Sequence, residues 1–191
     1  LLMFLDARGF AAGHVERARV CIAGSGPAGM TLAHALARRG VEVLLLEAGG
    51  LELEDGSQAL YAGQVVGDPY YELDYARLRY LGGTSGHWAG YCRPLDPHDF
   101  EPHPDFPHTG WPIGRAALDP YLAPAAEILE IPADFPDRPV SSELVRTFFH
   151  ISPPVRFGEK YRAWCETAPG VRVCLHSALT GLVPGGSGIR A

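Results

Sequence analysis

A short apolar run leading directly into a G-x-G-x-x-G motif constrains this chain more than any other feature. The motif consists of Gly24, Gly26 and Gly29, and the next apolar run ends at Glu47. The first glycine permits a sharp turn, the second lets backbone N–H groups approach a phosphate, and the third lets a helix pack closely on a strand. The order of these elements predicts a βαβ unit over residues 18–47 that binds a dinucleotide.

Pro27 and Gly40 predict the limits of the helix between the two strands. Proline suits the first helical turn, where its missing N–H has no helical partner, and glycine suits a helix exit. The helix is therefore predicted from Pro27 to Arg39. Its first N–H groups, including that of Ala28, and the helix dipole would face the phosphates. Glu47 would accept hydrogen bonds from ribose hydroxyls and would disfavour a 2′-phosphate.

Composition excludes several classes of function. The 191 residues carry a net charge of −6 with no basic stripe, which argues against a nucleic-acid partner. Leu1–Leu5 is too short an apolar run for a membrane span. The four cysteines lack C-x-x-C spacing, so we predict reduced thiols in a cytoplasmic protein, with Cys21 and Cys174 as small core residues.

A second small-residue motif follows the βαβ unit. Gly82 and Gly83 could let backbone approach a flat ring or a pyrophosphate, and Thr84 and Ser85 offer hydroxyls to phosphate or ring atoms. The first motif fits NAD and FAD equally, but a second close-approach site implies a long cofactor, which favours FAD. The alternative is an ordinary glycine turn capped by Thr84 or Ser85 at the start of a helix.

Four segments together resemble the amino-terminal half of the glucose-methanol-choline (GMC) flavin oxidoreductases. They are VCIAGSGPAGMTLAHALARRGVEVLLLEAGG, RYLGGTSGHWAGYCRPLDPHDF, GWPIGRAALDPY and SPPVRFGEKY. The resemblance covers nearly the whole chain and is nearest to the bacterial sugar and polyol dehydrogenases and to pyranose oxidase. It implies an α/β fold with a Rossmann-type, glutathione-reductase-like FAD-binding domain.

His87 and Trp88 are where the chain departs from the common family pattern, which has an aliphatic residue followed by Asn or His. Pyranose oxidase has a histidine at the position of His87 that is linked to the flavin 8-methyl carbon. The resemblance therefore implies a flavin link at His87, with a non-covalent or core-facing histidine as the alternative. It also places Arg79 and Trp88 among the cofactor-binding residues, and backbone near Ser177 to Leu179 beside the adenine.

The resemblance implies that residues 1–191 are the FAD-binding portion of a longer enzyme. That portion would hold the βαβ unit, a flavin-contacting turn and connector over 79–113, and helical and strand segments over 114–191. The carboxyl-terminal substrate domain, with the histidine base, would lie beyond Ala191.

The implied reaction is oxidation of a CH–OH group of a small-molecule alcohol or sugar, with hydride transfer to flavin N5 and an electron acceptor that the sequence does not identify. Two alternatives remain open at this point. One is a non-catalytic module that binds FAD or ADP-ribose without turnover, and the other is an NAD-dependent enzyme.

Three histidines in a proline-rich loop raise the question of a metal. His98, His103 and His108 are evenly spaced with aspartates between them, but the spacing fits no standard zinc pattern. We therefore predict no metal site.

The remaining elements are predicted from local patterns. We expect a helix from Asp119 to about Glu130 that is kinked or delayed at Pro124, strands at 42–46, 145–152, 171–176 and 179–183, a helix at 159–167 and a hairpin turn at 184–188.

Overall fold

The apolar runs that flank the first glycine motif form neighbouring strands of a parallel sheet. The computed structural model describes residues 3–106, 108–185 and 188–190 of the chain. It contains two compact units, one formed by the residues up to Trp88 and from Arg156 onwards, the other by Ala89–Val155.

In chain order the strands are β1 (Phe4–Asp6), β2 (Val20–Ala23), β3 (Val43–Leu46), β4 (Tyr91–Cys92), β5 (Arg138–Pro139), β6 (Val145–Arg146), β7 (His150–Ile151), β8 (Val171–Leu175), β9 (Val183–Gly185) and β10 (Gly188–Arg190). The α-helices are α1 (Pro27–Ala37), α2 (Asp55–Gln58), α3 (Leu73–Ala76), α4 (Asp119–Leu129) and α5 (Phe157–Thr167). Single 3-10 turns occur at Ala7–Gly9, Ala59–Tyr61, Gly83–Gly86, Pro97–Phe100 and Arg115–Ala117.

The sheet of the first unit has the strand order β1-β8-β3-β2, with all neighbours parallel. Ile22, Leu45 and Val173 stand side by side in register across three of these strands, and all three are buried. Side chains in register share one face of a sheet, so this row forms a continuous apolar surface. The predicted α/β fold with a parallel sheet is confirmed.

Helices α1 and α5 cover that apolar face. Helix α1 contacts β2 and β3, while α5 contacts β8 and α1. Met30 of α1 meets Cys165 of α5 with 3.6 Å between the two sulfur atoms, and both side chains are fully buried. Burial raises the pKa of the Cys165 thiol to about 12, so this thiol stays protonated and acts as a small core residue.

The second unit is built from two short antiparallel pairs, β4 with β7 and β5 with β6, and from helix α4. The guanidinium of Arg93 joins its segments, because it donates to both carboxylate oxygens of Asp137, at 2.9 and 2.7 Å, and to Asp96 at 2.8 Å. The same guanidinium lowers the pKa of the Asp137 carboxyl.

Several predicted boundaries differ from the structure. Helix α1 ends at Ala37 rather than Arg39, with Arg38 as its C-cap. Helix α4 begins at Asp119 and runs to Leu129, so its start is not delayed by Pro124. Helix α5 begins two residues earlier than predicted. Strand β8 ends one residue earlier, because His176 adopts a left-handed backbone with φ of 53°.

Two predictions about strands were wrong. The strand predicted at 145–152 is two short strands that pair with different partners, β6 with β5 and β7 with β4. Of the strand predicted at 179–183, Val183 alone is in a strand, β9. Strands β9 and β10 form the expected hairpin, but the tip of its predicted turn, residues 186–187, lies outside the described residues.

Cys21 is exposed, whereas Cys174 is buried as predicted. Within the described sheet β2 is an outer strand, and Cys21 points away from the face that Ile22 turns towards helix α1. Alternation along a strand identifies which residues share a face but does not tell which face is covered, so the sequence pattern misplaced this cysteine.

Replacing Leu45 by alanine tests the buried row. We expect Leu45→Ala to lower the free energy of unfolding by about 2–5 kcal/mol, because it leaves a cavity beneath the two helices. Leu60→Ala is the matched control, since Leu60 is 69% exposed and its change should cost less than about 0.5 kcal/mol. Urea unfolding monitored by circular dichroism gives both values, and equal losses would contradict the assignment of the core.

Candidate FAD-binding site

The first glycine turn leaves β2 sharply and starts helix α1. Gly24 has a φ of 93°, a conformation that strongly favours glycine, and its N–H donates to the carbonyl of Leu46 at 2.8 Å. This bond fixes the turn to the neighbouring strand β3. The carboxyl ends of β2 and β3 are thereby held side by side, at the edge where open α/β sheets bind ligands.

The other two glycines of the motif, Gly26 and Gly29, are required for different reasons. A Cβ atom at position 29 would lie 1.9 Å from the carbonyl oxygen of Gly24, so α1 can pack this closely on the turn because residue 29 has no side chain. A Cβ atom at Gly26 would meet no protein atom within 4 Å. The space beside Gly26 is therefore open, as close approach of a phosphate to the backbone requires.

Glu47 is buried at the end of β3 and accepts three hydrogen bonds. Its Oε2 accepts from the N–H and the hydroxyl of Ser25, at 3.1 and 2.5 Å, and its Oε1 accepts from the N–H of Gly49 at 2.9 Å. A carboxylate has about four acceptor positions, so one position on Oε1 remains for a further donor such as a ribose hydroxyl. Glu47 thus organises the first turn as well as facing the site.

The second glycine turn packs against both the first turn and helix α5. Gly82 has a φ of 88°, and a Cβ atom there would lie 2.1 Å from the backbone nitrogen of Gly158. Gly83 has a φ of 57°, and a Cβ atom there would lie 3.4 Å from the Cα of Gly26. The two glycine motifs, more than 50 residues apart in sequence, are therefore in direct contact.

The two hydroxyl residues of the second turn face different surroundings. Thr84 lines the cavity above the first turn, and its hydroxyl accepts from the N–H of Leu78 at 3.2 Å. Ser85 is buried instead, where its hydroxyl donates to the carbonyl of Gly82 at 2.7 Å and accepts from the N–H of Phe157 at 3.0 Å. Thr84 is thus the residue of the pair whose position suits direct contact with a ligand.

One cavity of about 390 Å³ brings the two turns together, a size within the ordinary range of ligand sites. The predicted site residues that line it are Gly24, Gly26, Pro27, Glu47, Gly83 and Thr84. Ser177 and Leu179, whose backbone was expected beside the adenine, also line it. Ser25, Tyr61 and Leu78 line it too and were missed. The place of Ser25 between Gly24 and Gly26 could have indicated it, whereas no local pattern marks Tyr61 and Leu78, which reach the site through the tertiary fold.

The other predicted residues do not line this cavity. Ala28 and Gly29 lie in the first turn of α1, and Gly82 and Ser85 in the second glycine turn, but none of them is among the lining residues. The guanidinium of Arg79 donates to the hydroxyl of Ser57 at 2.8 Å and lies over the ring of Tyr61, 5.9 Å from its centroid. His87 is exposed and Trp88 is half-buried at the end of the second turn. Their role as cofactor-binding residues stays a prediction.

The residues around the cavity fit an adenine dinucleotide. Gly24 and Gly26 would both direct a Cβ into space free of protein atoms, so the cradle at the start of α1 is open to a phosphate. Pro27 is the first residue of that helix, and the N–H groups of a first turn have no helical partner. Glu47 has a remaining acceptor position at the same edge, which suits a ribose.

The comparison with protein families agrees with this geometry. Residues 19–190 match the model of the FAD dependent oxidoreductases (DAO), so the chain belongs to this family and its cofactor is FAD. The family therefore decides between FAD and NAD, which the first motif left open, and it does not favour a non-catalytic module. No curated protein matches the chain.

The described residues show neither a membrane-spanning helix nor a metal-binding cluster. No helix among them is long and apolar enough to cross a membrane. The same residues contain no group of three or more histidine, cysteine, aspartate or glutamate side chains that could hold a metal ion.

Substitution of Gly29 tests the close packing of α1 on the first turn. We expect Gly29→Ala to lower the free energy of unfolding by about 1–3 kcal/mol, because the new methyl group meets the carbonyl of Gly24. Gly56→Ala is the control, since a Cβ atom at this helical position meets nothing within 4 Å and alanine favours a helix. Thermal or urea unfolding measures both, and a Gly29→Ala protein as stable as the Gly56→Ala protein would refute the packing role.

Proposed function

We propose that FAD binds in the cavity shared by the two glycine turns. Gly24, Gly26 and Glu47 would hold the ADP half, and Gly83 and Thr84 would hold the adjoining part of the cofactor. The observation that carries this proposal is that backbone of both turns lines one cavity, with Gly83 packed against Gly26. A long cofactor needs two such close approaches, whereas a mononucleotide needs one.

The finer identity that we propose is a GMC-type oxidoreductase that oxidises the CH–OH group of an alcohol or sugar, in the branch of pyranose oxidase and the bacterial sugar dehydrogenases. FAD, when bound, supplies the hydride acceptor for such a reaction. The described residues contribute placement: the open backbone at Gly26 and the hydroxyl of Thr84 orient the cofactor. The support for the substrate class is the sequence resemblance around the second turn.

The protein location that we propose is the cytoplasm. Cys21, Cys92, Cys165 and Cys174 are all free thiols in the structure. Free cysteines are typical of proteins in reducing compartments, where disulfides rarely persist.

Gly26→Ala tests the proposed site without disturbing the fold. Gly26 has a φ of −65° and an open Cβ position, so alanine should fit the backbone and leave stability within about 0.5 kcal/mol. The methyl group would occupy the phosphate cradle, and we expect the affinity for FAD to fall by about tenfold or more, a loss of roughly 1.4 kcal/mol. Titration with FAD, followed by flavin fluorescence, measures the change.

Gly114→Ala is the matched control for that experiment. Gly114 also has an extended backbone, with a φ of −91°, precedes a helical turn and has an open Cβ position, but it lies in the second unit. Its affinity for FAD should equal that of the unchanged chain. Equal affinities of the Gly26→Ala and Gly114→Ala proteins would place FAD elsewhere.

His87 is the residue that we propose as the covalent attachment point of the flavin. The backbone N–H of His87 donates to the carbonyl of Thr84 at 3.2 Å. This bond holds His87 close to Thr84, which lines the cavity, while the imidazole of His87 is exposed. A bond between an imidazole nitrogen of His87 and the flavin 8-methyl carbon would replace a C–H bond of that carbon, with the C–H and N–H protons leaving to solvent. The electron pair of the C–H bond would reduce the flavin ring, and dioxygen would reoxidise the ring to its yellow form. In this role His87 would tether the cofactor through the ring carbon rather than bind the phosphates.

Acid precipitation of FAD-loaded protein tests the bond. The yellow colour should remain in the pellet of the unchanged chain and move to the supernatant for His87→Asn, because asparagine provides no nucleophilic ring nitrogen. His98→Asn, a change at another exposed histidine, should keep the colour in the pellet. Colour in the supernatant of the unchanged chain would rule out covalent attachment.

A further inference from the structure

The peptide groups on either side of Gly82 are held by two serine hydroxyls. The N–H of Gly82 donates to the hydroxyl oxygen of Ser25 at 3.1 Å, and its carbonyl accepts from the hydroxyl of Ser85 at 2.7 Å. Ser25 is fully buried and Ser85 is 5% exposed. Water therefore cannot readily replace either hydroxyl, and loss of one would leave a buried backbone group unpaired.

Each hydroxyl also binds a group beyond Gly82. The hydroxyl of Ser25 donates to Glu47 at 2.5 Å, and that of Ser85 accepts from the N–H of Phe157 at 3.0 Å. A continuous row of buried hydrogen bonds thus runs from the carboxylate of Glu47, through Gly82, to the first turn of helix α5.

We propose that Ser25 and Ser85 are positioning residues that hold the second glycine turn in place for the cofactor. They fix Gly82 in its left-handed conformation, so that Gly83 and Thr84, the next residues, line the cavity. This role rests on the FAD binding proposed above. It differs from the direct cofactor contact expected for Ser85 from the sequence, and it adds Ser25, which the sequence did not single out.

The two ends of the cofactor should respond differently when Ser25 loses its hydroxyl. Glu47 would keep two backbone donors, the N–H groups of Ser25 and Gly49, so its position at the ribose end would persist. The N–H of Gly82 would lose its acceptor, and the second turn would loosen because glycine has the greatest backbone freedom of any residue. Binding of the part of FAD beyond ADP should therefore suffer most.

Affinities for ADP and for FAD in the full chain test this difference. We expect Ser25→Ala and Ser85→Ala each to weaken FAD binding about tenfold or more and ADP binding by less than about threefold. The double variant should lose less than the product of the two single losses, since both hydroxyls hold the same turn. Ser141→Ala, an exposed serine of the second unit, should leave both affinities unchanged.

Amide hydrogen exchange gives a second readout that needs no cofactor. In Ser25→Ala the amide of Gly82 should exchange faster, while the sheet amide of Val173, bonded to the carbonyl of Met3 at 2.8 Å, should not change. Equal losses of ADP and FAD affinity, or an unchanged exchange rate at Gly82, would overturn the positioning role. Failure of the unchanged chain to bind FAD would contradict the proposed function. The exchange rate at Gly82 would then still test whether the serine hydroxyls hold the second turn.

Discussion

The buried carboxylate of Glu47 is the interaction on which the arrangement of the site depends. It accepts two hydrogen bonds from Ser25, which belongs to the first glycine turn, and one from Gly49, which begins the segment leading to the second turn. A buried carboxylate is costly unless donors surround it, so its surroundings are fixed tightly. The same group that lines the cavity therefore also holds the backbone around it.

Close approach of backbone to backbone is the second constraint. Gly29 packs on Gly24, and Gly82 packs on Gly158. In both cases a Cβ atom would overlap the backbone of the neighbouring residue, so only glycine allows the contact. These contacts bring helix α1 onto the sheet and the second turn onto α5 without side chains between them. Gly24, Gly26 and Gly83 consequently leave backbone accessible in the lining of the cavity, and accessible backbone is the surface that a pyrophosphate requires.

The first turn could be predicted from the sequence because its elements are local. Gly24, Gly26 and Gly29 shape a single short segment between β2 and the first turn of α1. Glu47 follows at the end of the next strand. The second turn was placed by its own glycines and by the family resemblance. Ser25 could not be assigned its role in this way, since its partner Gly82 is 57 residues away and no spacing rule connects them. Cys21 was misplaced for a similar reason, because exposure of one face of β2 is a property of the assembled sheet.

Nuclear magnetic resonance of the amide groups tests most directly whether one cofactor spans both turns. During a titration with FAD, the amide signals of Gly26 and Gly83 should both shift, and both should give the same dissociation constant. Saturation with FAD that shifts the signal of Gly26 but leaves those of Gly83 and Thr84 unmoved would contradict a shared site, and the second turn would then have no part in binding the cofactor.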